Sequence, residues 1–150
     1  MEIHRAGIDD ADTLVGIVNL AFQVEKFFIP GDRIDLAGIR ELLRKGEFLI
    51  AGKSGCVYLE PRNGRCYLGL LSVNPAVQGT GLGRRLMQAA ESRARDLGCT
   101  AIDLRVVNLR LELPAFYRHL GYEENGTSQF PPEVSTLQPC HFLHMSKALA

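Results

Sequence analysis

The sequence predicts a mixed α/β domain in which a twisted, centrally antiparallel sheet is flanked by helices. Three observations carry the prediction. Apolar residues recur at helical spacing in four separate stretches. Between the second and third of these lie three strand-like runs, "EFLIAG", "GCVYLEP" and "CYLGLLSV", joined by short turns, the pattern of an antiparallel meander. A length of 150 residues, with 46% apolar and 23% charged side chains, suits one domain with a real core.

The elements follow in order. "MEIHRA" alternates and predicts a short opening strand. Asp9 and Asp10 are N-cap residue types, and Ala11, Leu14, Val15, Val18, Ala21 and Phe22 then repeat at helical spacing. Pro30 and Gly31 break the chain. A second helix is expected over about Ile34 to Lys45, with Ile39, Leu42 and Leu43 on one face and Gly46 as its stop. The three strands come next, turning at Lys53–Gly55 and Arg62–Gly64. Leu82, Leu86, Ala89, Ala90, Ala94 and Leu97 form the stripe of a third helix ending at Gly98. In "TAIDLRVV", Ile102, Leu104 and Val106 point to one face of a strand and Asp103 and Arg105 to the other. A short helix is expected from about Leu111 to Leu120, closed by Gly121. Residues Asn125 to Pro139 read as loop, and "CHFLHMSKAL" as a last strand. No repeat or linker interrupts the chain, so residues 1–150 are taken as a single domain.

Composition excludes several function classes. Lys plus Arg and Asp plus Glu number 17 each, so no net field favours nucleic acid or an anionic membrane. No apolar run approaches the roughly 18 residues of a membrane span, and "MEIHRAGIDDAD" is too polar and acidic for a signal peptide. The four cysteines, Cys56, Cys66, Cys99 and Cys140, form no CxxC pair and read as reduced thiols of a cytoplasmic protein. Cys56 and Cys66 could meet across neighbouring strands, but a disulfide between them is not expected. His141 and His144 lie three apart on a strand and face opposite sides, which argues against a metal site.

The chemistry concentrates in "SVNPAVQGTGLGRRLM", where Gly79, Gly81 and Gly83 alternate ahead of Arg84 and Arg85. Glycine loses more backbone entropy on folding than any other residue, so such a run is expected where the backbone must approach a ligand, phosphate above all. A P-loop needs GxxxxGK followed by Ser or Thr, and this loop has neither the spacing nor the lysine. A dinucleotide fingerprint needs GxGxxG in a parallel βαβ unit, and here the third glycine falls one residue early, after a meander.

The stretch "LSVNPAVQGTGLG" resembles the acyl-coenzyme A loop of the GCN5-related N-acetyltransferase (GNAT) superfamily. That signature runs glutamine or arginine, two residues, glycine, one residue, then glycine or alanine, after a strand ending V-x-P. Gln78, Gly81 and Gly83 match it, with Val73 and Pro75 ahead. The later "LRVVNLRLELPAFYRHLGY" is similar to the family's next motif at Asn108, Tyr117, Gly121 and Tyr122. Tyr117 lies nine residues after Asn108, two more than the family's commoner spacing, which predicts a longer connecting loop. The likeness covers nearly the whole chain and implies the GNAT acyl-CoA N-acyltransferase fold.

The resemblance also implies an activity: transfer of the acetyl group of acetyl-CoA to a primary amine by direct attack in a ternary complex. The alternative is a non-catalytic acyl-CoA sensor. Acetyl-CoA would be held by Leu71, Val73, Gln78, Gly79, Thr80, Gly81, Leu82, Gly83, Arg84, Asn108 and Tyr117. The backbone N–H groups of Leu71 and Val73 would hold the thioester carbonyl and the pantetheine arm. Tyr117 would protonate the leaving sulfur, since a phenol with a pKa of about 10 keeps its proton at neutral pH; a supporting core tyrosine is the other reading. Asn108 binds the arm or forms a turn.

Asp103 matches the place of a catalytic glutamate in some protein N-terminal acetyltransferases of the superfamily, or pairs with Arg105. Glu60, at a strand end beside Pro61, is a second candidate base, expected to face solvent. The acceptor pocket, built in the family from the first helices and the late loop, offers Phe22, Phe27, Phe28, Phe130 and His141 here, although such phenylalanines also suit a core. The partners expected are acetyl-CoA and an amine acceptor, with no metal, nucleic acid or membrane, and a monomer or homodimer.

Overall fold

The structure is a computed structural model that describes residues 2–149. Strand β1 (His4–Arg5) leads through a 3₁₀ turn to α1 (Ala11–Ala21), then α2 (Leu36–Lys45), β2 (Glu47–Ala51), β3 (Gly55–Arg62) and β4 (Arg65–Val73). After the glycine loop come α3 (Leu82–Asp96), β5 (Ala101–Val107), α4 (Leu113–His119), β6 (Glu123–Gln129) and β7 (His141–Ala148). The strands form one seven-stranded sheet in the order β1-β2-β3-β4-β5-β7-β6. Among the described residues only the β4–β5 pair is parallel. This is the mixed, centrally antiparallel sheet flanked by helices that the sequence predicts.

The helices cover both faces, and strand alternation sorts the core into two layers. Leu82, Leu86, Met87, Ala90 and Ala94 of α3 bury against Val57, Leu59, Cys66, Leu68, Ile102 and Leu104. On the other face Leu14, Ile17 and Val18 of α1 and Ile39 of α2 bury against Phe48, Ile50, Cys56 and Tyr58. Each such leucine, isoleucine or phenylalanine contributes about 1.5–3 kcal/mol by leaving water. Among the described residues no helix is long and apolar enough to cross a membrane.

The second helix starts at Leu36, because the Asp35 side chain accepts the Gly38 N–H at 2.7 Å and caps it there. Gly46 does follow its last residue, but for a different reason than a left-handed cap. Its backbone is extended, and a Cβ there would lie 2.5 Å from the Leu59 carbonyl oxygen. Close approach to β3 requires the glycine.

Two expectations need correction. Residues 123–129, most of them read as loop, form β6 on β7. This edge strand is exposed almost throughout, so its "EENGTSQ" needs no apolar alternation, and backbone pairing alone makes it a strand. Cys56 and Cys66 do not meet: Cys56 pairs with Ser72 and Cys66 with Pro61, and they belong to opposite core layers. All four cysteines are free.

Candidate active site

The site begins where the sheet fails to close. β4 and β5 pair only at Cys66↔Ile102 and Tyr67↔Asp103. β4 then runs on to Val73 and β5 to Val107 with no ladder between them. A bulge prepares the divergence. Against β3, the step from Cys56 to Tyr58 spans three residues of β4, from Ser72 back to Gly69, and Leu70 takes a φ of +53°. A bulge bends its strand and raises the local twist. The gap becomes a cleft of about 380 Å³ lined by Leu71, Val107, Tyr117 and the rings of Phe22, Phe130 and Phe142. Beside it lies a more polar hollow of about 700 Å³ against α2, and Arg33, Tyr67, Gly69, Leu70, Leu104 and Arg105 line both.

The glycine loop sits at the end of this gap. Asn74 anchors it, its N–H donating to the Ser54 carbonyl at 2.7 Å and its side chain accepting the Ala76 N–H at 2.9 Å. The Thr80 hydroxyl donates to the Val77 carbonyl at 2.7 Å. Gly79 and Gly81 take φ values of +83° and +86°, and nothing lies within 4 Å of the Cβ that either would carry. Gly81 is the N-cap of α3, yet no side chain caps the helix. The first N–H found bonding back is that of Arg85, to the Gly81 carbonyl at 3.1 Å. A left-handed residue followed by a helical one aims successive N–H groups at one point, and the helix dipole adds positive potential there. This cradle suits a pyrophosphate, with Arg84 and Arg85 as nearby charge. A Cβ on Gly83 would lie 3.6 Å from Phe116 and 3.7 Å from Val73, so the loop meets both the end of β4 and α4.

Tyr117 reaches the cleft from α4. Its side chain is only 6% exposed, stacked edge-on with Phe116 and Tyr122, and its hydroxyl forms no hydrogen bond among the described residues. Burial pushes its pKa well above the ordinary phenol value. The longer connection is accommodated by a loop through Arg110–Glu112, and the Arg110 guanidinium donates to the buried Glu25 carboxylate at 2.7 Å. Desolvation raises the Glu25 pKa despite that partner. Nothing in the sequence marks Glu25 or Arg110, because 85 residues separate them and only folding brings them together.

Asn108 lies at the end of β5, off the cleft. Its N–H donates to the His141 carbonyl at 2.9 Å and its side-chain oxygen accepts the His141 N–H at 2.8 Å. It closes β5 onto β7, and His141 is engaged there as well. Asp103 lines the polar hollow, but its cation is Arg65, not Arg105. The Arg65 Nε and Nη2 donate at 2.7 and 2.6 Å, the Ser146 hydroxyl donates at 2.6 Å, and these contacts, Arg65 first, hold the carboxyl below the usual range. Glu60 does not face solvent as expected. It is 12% exposed, accepting from the Tyr58 hydroxyl at 2.6 Å and from Arg62. Of the phenylalanines, Phe22 and Phe130 line the cleft, Phe28 is fully buried and Phe27 is half exposed.

Comparison with known proteins bears on this arrangement. Solved structures share the fold over essentially the whole chain. A ribosomal-protein-alanine N-acetyltransferase from Brucella melitensis superposes with a TM-score of 0.81 at 21% identity, covering 99% of this chain and 100% of that one. An aminoglycoside 6'-N-acetyltransferase complexed with coenzyme A gives 0.80 at 17%, covering 100% and 98%. Among curated proteins, blasticidin-S acetyltransferase of Streptomyces morookaense is 35% identical over 72 residues, 47% of this chain and 52% of that enzyme. The chain thus spans about half the length of the curated relative it matches. The family model described as acetyltransferase (GNAT) family matches residues 8–122, from before α1 through the glycine loop and α4 to Tyr122. With the sheet, the cradle and this match in agreement, the chain belongs to the acetyltransferase (GNAT) family.

Proposed function

We propose that the protein transfers the acetyl group of acetyl-CoA to a primary amine by direct attack in a ternary complex. The observation that carries this is the pairing of an uncapped, glycine-built cradle at α3 with a cleft between β4 and β5 that ends at Tyr117. Acetyl-CoA supplies an acyl group activated as a thioester. Gln78, Gly79, Thr80, Gly81, Leu82, Gly83 and Arg84 bind its pyrophosphate through backbone N–H groups and charge. Backbone N–H groups of Leu71 and Val73, on the strand edge that β5 leaves unpaired, hold the arm and polarise the carbonyl. The amine nitrogen forms the new C–N bond as the C–S bond breaks, and the surplus amine proton leaves for water.

Tyr117 gives its proton to the departing sulfur and takes one back from water, so the proton lost by the amine is balanced. Support comes from its place in the cleft, its lack of a competing hydrogen bond and the burial that keeps its phenol protonated. Asp103, already shared by Arg65 and Ser146, is a poor proton acceptor, and we assign it to fixing the β4–β5 junction. Asn108 supports the site by holding β5 to β7. The free cysteines, three of them buried, suit a cytoplasmic location.

Thermal shift with acetyl-CoA, CoA, ATP and NAD, followed by turnover on an amine panel, tests the reading. Selective stabilisation by the two CoA species with CoA release on amine addition is expected. Stabilisation without turnover of any amine would make the protein a sensor, and equal stabilisation by ATP or NAD would remove the cradle assignment.

A further inference from the structure

The charges around the cleft do not balance. Every carboxylate that lines the cleft and its polar extension has a cation. Glu25 pairs with Arg110, Glu41 with Arg44 and Lys45, Asp103 with Arg65, and Asp32 with Lys26 at 3.8 Å. On the cationic side Arg62 pairs with Glu60, and Arg110 with Glu25 and Glu112. Two guanidiniums remain. Among the described residues neither Arg33 nor Arg105 forms an ion pair, although Arg33 lies near enough to Glu25 to offset part of the desolvation that raises its pKa.

A solvated surface arginine needs no partner, but these two are held in place. Arg105 lies over the Phe142 ring, 4.2 Å from its centroid, and Phe142 is itself stacked on Phe130. Arg33 lies over Phe22 at 5.5 Å. Phe22 and Phe142 both line the cleft, and both arginines line the cleft and the hollow beside it. Stacking restrains a guanidinium while leaving its N–H edge free, and that planar edge matches a carboxylate.

From this we infer that the amine acceptor carries a carboxylate, as a free amino acid does, and that Arg33 and Arg105 bind it. The inference rests on the acetyltransferase reading and names its acceptor class. It runs against cationic acceptors such as polyamines, which two uncompensated arginines repel. It also disfavours the N-terminus of a protein, which carries a neutral amide where an amino acid has its carboxylate.

The test is CoA release from acetyl-CoA with matched sets of free amino acids, their amides and the amines lacking the carboxylate. The best amino acid is expected to exceed its amide at least tenfold in kcat/KM. Arg33→Gln and Arg105→Gln should each cut that ratio several-fold, and the double variant should abolish it. Because the readout is a ratio within one variant, partial unfolding does not imitate it. Amides, polyamines or C-terminally amidated short peptides used as well as free amino acids would overturn the inference while leaving the acetyltransferase intact. A carboxylate preference that survives the double variant would also overturn it. No turnover of any amine, with acetyl-CoA still stabilising the protein, would overturn both readings together.

Discussion

The two faces of the sheet behave differently. Under α3 the layers interlock: Leu86, Met87, Ala90 and Ala94 are fully buried against β3, β4 and β5. On the α1–α2 face the inner strands are covered, but where β4 and β5 part an opening remains, lined by apolar side chains with ion pairs such as Glu25–Arg110 among them. One face spends its side chains on stability and the other keeps polar groups fixed around an open space. Substitutions on the first should cost folding free energy, and those on the second binding or turnover.

The largest stability effect is expected at Leu86, fully buried between α3 and the sheet. Leu86→Ala should lower unfolding free energy by about 2–5 kcal/mol, read from denaturant midpoints at unchanged slope. A loss below about 1 kcal/mol would show a looser layer than the burial implies.

Gly81→Val adds a side chain where the cradle is open and forces valine into a left-handed conformation. Acetyl-CoA affinity by calorimetry should fall tenfold or more, at least about 1.4 kcal/mol. Wild-type affinity in a folded variant would remove the loop from the site.

Asp103 gives the smallest effect. Its folded pKa is depressed, so the Arg65 and Ser146 contacts stabilise the fold above the ordinary carboxylate pKa of about 3.9 and lose that contribution as pH falls below it. The pair is substantially exposed, so Asp103→Asn should cost less than about 1 kcal/mol at neutral pH, and the gap to wild type should close in acid. A loss of kcat/KM that grows toward acidic pH would instead restore Asp103 to the role of base.

The contrast between the faces also explains what the sequence made legible. The α3 stripe and the alternation of β5 declare themselves because burial imposes a period on residue type. Gln78, Gly81 and Gly83 were readable because a backbone cradle needs glycine at fixed places. β6 was not readable, since an exposed edge strand imposes no period. Nor were Glu25–Arg110, Arg65–Asp103 or Arg93–Glu47, pairs that join residues far apart in the chain. The widening of β4 from β5 follows from one extra residue at Leu70 and Leu71, and nothing in "YLGLLSV" announces a bulge.

Tyr117 is where the packed face and the open cleft meet, and Tyr117→Phe tests the account most directly. The change removes one oxygen and keeps the ring packed against Phe116 and Tyr122. General acid catalysis contributes about 10²–10⁴-fold, roughly 3–5 kcal/mol of barrier. With acetyl-CoA and a turned-over amine, under conditions where chemistry limits the rate, kcat should fall at least tenfold while acetyl-CoA affinity and thermal stability stay close to wild type. A Phe variant with wild-type kcat would contradict the account and leave Tyr117 a core residue.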